Sequence, residues 1–254
     1  MTRVIAVSNQ KGGTSKTTTV IHLGVALAQL GKRVLLIDLD PQGHVAEGFG
    51  IVSDDLQAEM SCVFEGSKRL TDIIMPKVRP NLDIAPSNIR LADMELTLVN
   101  LRFRENKLKR ALEPVLTRYD IIFLDCPPNL GLLTVNALMA ASHVLIPMAA
   151  DYYSMLGVSR LIQSVETIKG EANPDLQVLG IIPTRYKATT THAREVVART
   201  KAELGDRVHV FEPPVHDSTR FPEASAQGTT VFDIAPTIEG AQAYRAIAQE
   251  IANA

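Results

Sequence analysis

This 254-residue chain is short of several things, and each shortage narrows what it can be. It has two cysteines, Cys62 and Cys126, too few for a disulfide framework. No run reaches the roughly 18 apolar residues that a membrane-spanning helix needs. Its N-terminus carries no signal-peptide pattern, so the expected site of action is the cytoplasm. The formal net charge is only −2, which excludes a strongly basic nucleic-acid binder while leaving room for a local basic patch. Long linkers, low-complexity tracts and internal repeats are missing too, so one domain spanning 1–254 is expected.

What is present is an alternation. Hydrophobic residues make up 46% of the chain and charged residues 21%, an ordinary globular balance. Apolar β-branched runs at 3–8, 33–37, 82–85, 120–124, 143–147, 178–182 and 208–211 read as strands. Between them, 17–30, 89–99, 103–117, 130–141, 155–170, 191–204 and 237–252 carry helical patterns. Near-continuous apolar strands such as Ile121-Ile122-Phe123-Leu124 are buried on both faces. The expectation is an α/β fold with a mainly parallel, twisted sheet and helices on both faces.

The most informative stretch is Gln10-Lys11-Gly12-Gly13-Thr14-Ser15-Lys16-Thr17-Thr18. It follows the apolar run Val4–Val7 and opens into a helical pattern, the context of a phosphate-binding P-loop. Successive backbone N–H groups of residues 12–18 and the start of the helix would cradle phosphates. Lys16 would reach the β- and γ-phosphates and the Thr17 hydroxyl would ligate Mg²⁺. A Gly-rich turn without a ligand is the plain alternative. Ser15 stands where the common pattern has its last glycine, so it is expected to keep a negative φ. Lys11 is an extra cation at the loop's start, badly placed to fold back onto its own phosphates.

Two acidic motifs follow. Asp38 and Asp40, in Ile37-Asp38-Leu39-Asp40-Pro41-Gln42-Gly43, fall at the C-terminal end of a buried strand, where α/β folds bind ligands. Ile121–Leu124 followed by Asp125 has the Walker B form, which aims the acid at the metal.

Taken together, KGG…KTT, DxDPQ and the Walker B strand resemble the ParA/MinD family of deviant Walker A ATPases, over nearly the whole chain. The resemblance implies an Mg²⁺-dependent ATPase that forms a homodimer with ATP sandwiched between subunits. It implies that Lys11 contacts the partner's phosphates in trans, that Asp38 helps hold Mg²⁺ through water, and that Asp40 positions or activates the attacking water. Pro214 and Val215, in Phe211-Glu212-Pro213-Pro214-Val215, occupy the place where the family loop meets adenine. Cys126 is the usual neighbour of the Walker B acid, which leaves little for an iron–sulfur reading.

For DNA, Arg220 matches a family position. A second family arginine is replaced by Thr189, with Lys187, Arg185 or Arg194 as substitutes. Residues 185–220 have a small basic excess, which a dimer doubles. The other basic cluster, 102–110, reads as the solvated side of a helix whose Leu101, Leu108, Leu112 and Val115 face inward.

The implied function is a positioning or partition ATPase of the nucleoid: its ATP dimer binds DNA non-specifically and an adaptor, ParB-like or McdB-like, triggers hydrolysis and release. Cargo stays open between chromosome or plasmid and a protein compartment such as the carboxysome. A MinD-type membrane ATPase is the alternative. The C-terminal Ala-Ile-Ala-Gln-Glu-Ile-Ala-Asn-Ala is small and poor in cations, which argues against stable membrane association. A metabolic P-loop ligase or kinase would need a substrate constellation beyond these motifs, and none is apparent.

Overall fold

The computed structural model describes residues 2–253. Its strands are β1 (Arg3–Val7), β2 (Val34–Asp38), β3 (Met75–Arg79), β4 (Leu82–Ala85), β5 (Ile121–Asp125), β6 (His143–Ala149) and β7 (Gln177–Thr184). They form one sheet in the order β3-β4-β2-β5-β1-β6-β7. Every neighbouring pair is parallel except β3–β4. The helices are α1 (Lys16–Gln29), α2 (His44–Glu47), α3 (Met60–Glu65), α4 (Leu70–Ile73), α5 (Arg90–Leu98), α6 (Lys107–Leu112), α7 (Leu132–Ala140), α8 (Tyr152–Glu171), α9 (Thr191–Leu204), α10 (Arg220–Ala226), α11 (Val231–Ile234) and α12 (Glu239–Asn253).

Strand residues alternate between two cores because successive side chains leave a strand on opposite faces. Val4, Ala6, Leu35, Ile37, Ile122 and Leu124 pack toward α3–α8. Ile5, Val7, Val34, Leu36, Ile121 and Phe123 pack toward α1 and α10–α12. Helix α1 lies between the sheet and α12, and is buried along nearly its whole length. Close approach requires Gly24, where a Cβ would fall 2.7 Å from Leu36 Cδ2. Fully buried Leu23, Leu27, Tyr244 and Ile247 hold this layer together, each side chain contributing roughly 1.5–3 kcal/mol.

Two expectations about elements change, and one strand, β3, is unexpected. Residues 208–211 form no strand: Val210 makes a single bridge to Ile181. Pro213 and Pro214 follow at once and have no N–H with which to extend a ladder. The stretch 103–117 breaks into a 3₁₀ turn at Arg104–Asn106, then α6, then a second turn at Leu116–Arg118. Pro114 stops α6 from continuing. Leu108, Leu112 and Val115 are buried there and Leu101 packs against the same core, while Arg102, Lys109 and Arg110 face solvent. Strand β3 escapes the sequence pattern because it is a half-exposed edge containing Pro76, with no apolar run to mark it.

Candidate functional site

The segments that follow the C-terminal ends of four strands, β1, β2, β5 and β7, supply one cleft of about 930 Å³. The loop after β1 leads into α1. Its Asn9 is fully buried, donates to the Pro147 carbonyl at the end of β6 (2.7 Å) and accepts from Lys11 N (3.0 Å). From the other side, Thr184 at the end of β7 donates to the Thr14 carbonyl at 3.1 Å. Neither Asn9 nor Thr184 carries a local sequence signal, since their partners come from distant strands.

Ser15 corrects an expectation. Its φ is +65° and ψ is 33°, a left-handed conformation at the N-cap of α1. For an L-residue this costs about 1–2 kcal/mol. It turns the chain from loop to helix in one residue, and the Ser15 carbonyl still accepts from Thr19 N at 2.8 Å. The well-packed α1 behind it offsets that cost.

Gly12, Gly13, Ser15, Lys16, Thr17, Thr18 and Asp40 line the cleft. Thr14 does not; its side chain turns back to the Lys11 carbonyl (3.3 Å). Lys16 is only 8% exposed. Burial pulls its pKa below the ordinary lysine value, against the opposing charges of Asp125 and Asp40.

Beneath the lining sit two carboxylates with no solvent exposure, Asp38 and Asp125. Register places them side by side on β2 and β5. Asp38 accepts from Asp40 N (2.9 Å) and Val45 N (3.0 Å). Burial, then the charge of Asp125, raises its pKa well above the usual carboxylate range. Asp125 is different: neither of its oxygens has a hydrogen-bond partner. Burial lifts its pKa to about 7, with the adjacent Thr17 hydroxyl pulling it back. The same burial pushes the Cys126 thiol up, which makes it unreactive.

An orphaned buried carboxylate beside a second one is an electrostatic debt that a divalent cation settles. The donor set suits Mg²⁺, which takes one or two carboxylates and fills its shell with water and phosphate oxygens. Among the described residues no group of three His, Cys, Asp or Glu side chains could hold a metal unaided. Thr17, water and phosphate would complete the shell.

Asp40 hangs over this floor. Its N–H is held by Asp38, its Oδ1 accepts from Gln42 N (3.1 Å), and its carbonyl accepts from the Ser87 hydroxyl. Gly43 follows with φ +69°, where a Cβ would meet Ser53 at 2.7 Å and the Ser87 carbonyl at 2.9 Å. The Asp38–Gly43 turn is therefore clamped by Ser87, just after β4, and by Ser53, between α2 and α3.

Lys11 lies outside the cleft lining. Its ammonium pairs with Asp151 of the same subunit, at 2.7 and 2.9 Å from the two carboxylate oxygens. Asp151 also caps α8 through Ser154 N and Ser154 Oγ, both 2.9 Å. Partial burial alone would raise the Asp151 pKa, but these hydrogen bonds outweigh it and the net shift is downward.

At the other end of the cleft, Val215, His216, Asp217, Ser218, Thr219 and Phe221 form the wall, with Tyr244 behind. Pro214 is not part of it. The four basic residues assigned to DNA do not form one set. Arg185 lines the nucleotide cleft. Lys187 lies 3.4 Å from Asp217. Arg220 opens α10 and pairs with Glu223 at 2.8 Å. Arg194, on α9, donates to the Ala188 carbonyl at 2.9 Å.

A family model described as an AAA domain matches residues 2–178. The chain is 40% identical over 252 residues to the sporulation initiation inhibitor protein Soj of Bacillus subtilis (strain 168), covering 99% of each chain. It is 36% identical over 249 residues to the chromosome partitioning protein ParA of Myxococcus xanthus, covering 98% of this chain and 87% of that one. A solved structure from Mycobacterium smegmatis, named cobyrinic acid a,c-diamide synthase and holding an ATP analogue and magnesium, matches with TM-score 0.86 and 35% identity, covering 100% of this chain and 95% of that one.

Proposed function

The chain belongs to the ParA/MinD family of P-loop ATPases, and from that premise we propose that it is a ParA-type positioning ATPase. It binds ATP with Mg²⁺ and dimerises around the nucleotide. The dimer holds duplex DNA of any sequence, and an adaptor protein ends the cycle by stimulating hydrolysis. The chromosome-partitioning name of the M. xanthus ParA makes a DNA cargo the preferred reading.

The observation that carries the chemistry is the Asp125 carboxylate, buried and unpartnered within the strand-end cluster of Lys16, Thr17 and Asp38. Mg²⁺ held there would supply charge neutralisation for the phosphates. Lys16 and the loop amides bind the polyphosphate. Thr17 and Asp125 would hold the metal, with Asp38 behind them. Asp40, fastened by Asp38 and Ser87, holds the attacking water and takes up its proton. Phosphoryl transfer to water needs little beyond such placement.

Support for the ParA rather than the MinD branch comes from α12. Its apolar residues Ala241, Tyr244, Ile247 and Ile251 are buried in the core shared with α1, so that face is not available to a lipid surface. The amide-synthase name belongs to the M. smegmatis protein, and Soj is matched at higher identity.

The test is a mobility-shift titration of random duplex with and without ATP. Binding is expected only with ATP, indifferent to sequence and falling steeply with salt. Arg220→Ala should weaken all duplexes alike and lower the log K against log salt slope by about one per subunit. Sequence-selective binding by the nucleotide-free chain would refute the reading.

A further inference from the structure

Arg185 is a cation in the nucleotide cleft without an assigned task there. It follows the buried Thr184, whose hydroxyl ties the end of β7 to the phosphate loop. Arg185 itself has φ +49°, a left-handed backbone that a non-glycine residue adopts at some cost. On its other side, Val215 N donates to the Pro183 carbonyl (2.8 Å), Tyr186 N to that of Val215 (3.0 Å), and Asp217 N to that of Tyr186 (2.9 Å). These bonds join the Arg185 segment to the far wall of the cleft.

The guanidinium therefore stands between loop and wall. Its Nη1 is 3.4 Å from the Gly13 carbonyl and its Nε is 3.9 Å from the Asp217 carboxylate. Both contacts are long, and the side chain is 55% exposed. A guanidinium carries five N–H donors in a rigid fork suited to phosphate oxygens. Here that fork makes one marginal hydrogen bond, at the rim of a cleft built for an anion.

Building on the nucleotide reading above, we propose that Arg185 is a second polyphosphate-binding residue supplied in cis, donating to phosphate oxygens of a bound nucleoside di- or triphosphate. Little holds it back, since an exposed pair at 3.9 Å contributes little. Asp217 would repel a polyphosphate if left alone. Lys187, at 3.4 Å from its other oxygen, keeps it paired when Arg185 turns to the ligand. This moves Arg185 out of the DNA set and leaves Lys187, Arg194 and Arg220 in it.

The experiment titrates ADP and ATP, and adenosine by displacement of a fluorescent ADP, against wild type, Arg185→Ala, Arg185→Lys and Lys16→Ala. Arg185→Ala should weaken ADP and ATP by about tenfold, the low end for a charge-assisted hydrogen bond. Adenosine affinity should be unchanged. Arg185→Lys should fall between, as a point charge without the fork. In an Asp217→Asn background the tenfold loss should persist. If it vanishes there, Arg185 only screens Asp217 and the proposal is overturned. It is overturned equally if adenosine weakens as much as ADP, or if both Arg185 variants bind ADP like wild type. Normal ADP binding by Lys16→Ala would instead sink the nucleotide reading beneath it.

Discussion

The Lys11–Asp151 pair sets a measurable balance. If Lys11 reaches a partner's phosphates in the ATP dimer, it must first leave Asp151. The pair is short, at 2.7 Å, but both side chains are more than a third exposed. An ion pair of that exposure contributes about 0.2–1 kcal/mol. Two are broken per dimer, so release costs about 0.4–2 kcal/mol. Two new charge-assisted contacts return about 3–6 kcal/mol. Dimerisation therefore wins, with Asp151 as a modest brake. Asp151→Asn removes the charge yet keeps a side-chain oxygen to cap α8 at Ser154 N. It should tighten the ATP dimer by about 2- to 30-fold. Lys11→Ala gives up the new contacts but also escapes the release cost, so it should weaken the dimer by the net of about 1–5.6 kcal/mol, about one to four decades, and leave ADP affinity of the monomer nearly unchanged. The assay is sedimentation equilibrium with ATP in an Asp40→Ala background, where hydrolysis is expected to be blocked. A dimer that Asp151→Asn weakens, or one that Lys11→Ala leaves intact, would refute the argument.

Lys16→Ala is expected to abolish ATP binding, whereas Asp40→Ala should retain it and accumulate the dimer; equal losses in calorimetry would erase that division of roles. His22 offers a pH test away from the phosphates. Its Nδ1–H donates to the Thr18 carbonyl (2.7 Å) and its Nε2 accepts from Val231 N (3.3 Å), so the neutral ring is fully satisfied. Burial lowers its pKa from 6.5 to about 4. Between those values the unfolded chain binds a proton that the folded chain refuses, so stability is lost as pH falls from about 6.5 to about 4. The loss is about 3 kcal/mol at 1.36 kcal/mol per pH unit. His22→Gln should flatten that part of the pH dependence in urea melts; an unchanged slope would show that His22 does not contribute it.

What the sequence determined by itself was local. The order of strand, Gly-rich loop and helix around Lys16, the acids at the ends of β2 and β5, and the alternation implying a parallel sheet are all carried by neighbours along the chain. Apolar period and loop chemistry report them directly. The tertiary structure decided what depends on strand order. Asp38 and Asp125 become a buried pair only because β2 and β5 are adjacent and in register. Lys11 meets Asp151, and Arg185 meets Gly13, because the ends of β1, β6 and β7 share one edge. The same edge brings Arg185 to the lining of the cleft. It also set Ser15 in a left-handed conformation that its side chain alone disfavours, because the packing of α1 against the sheet and α12 outweighs one residue's backbone strain.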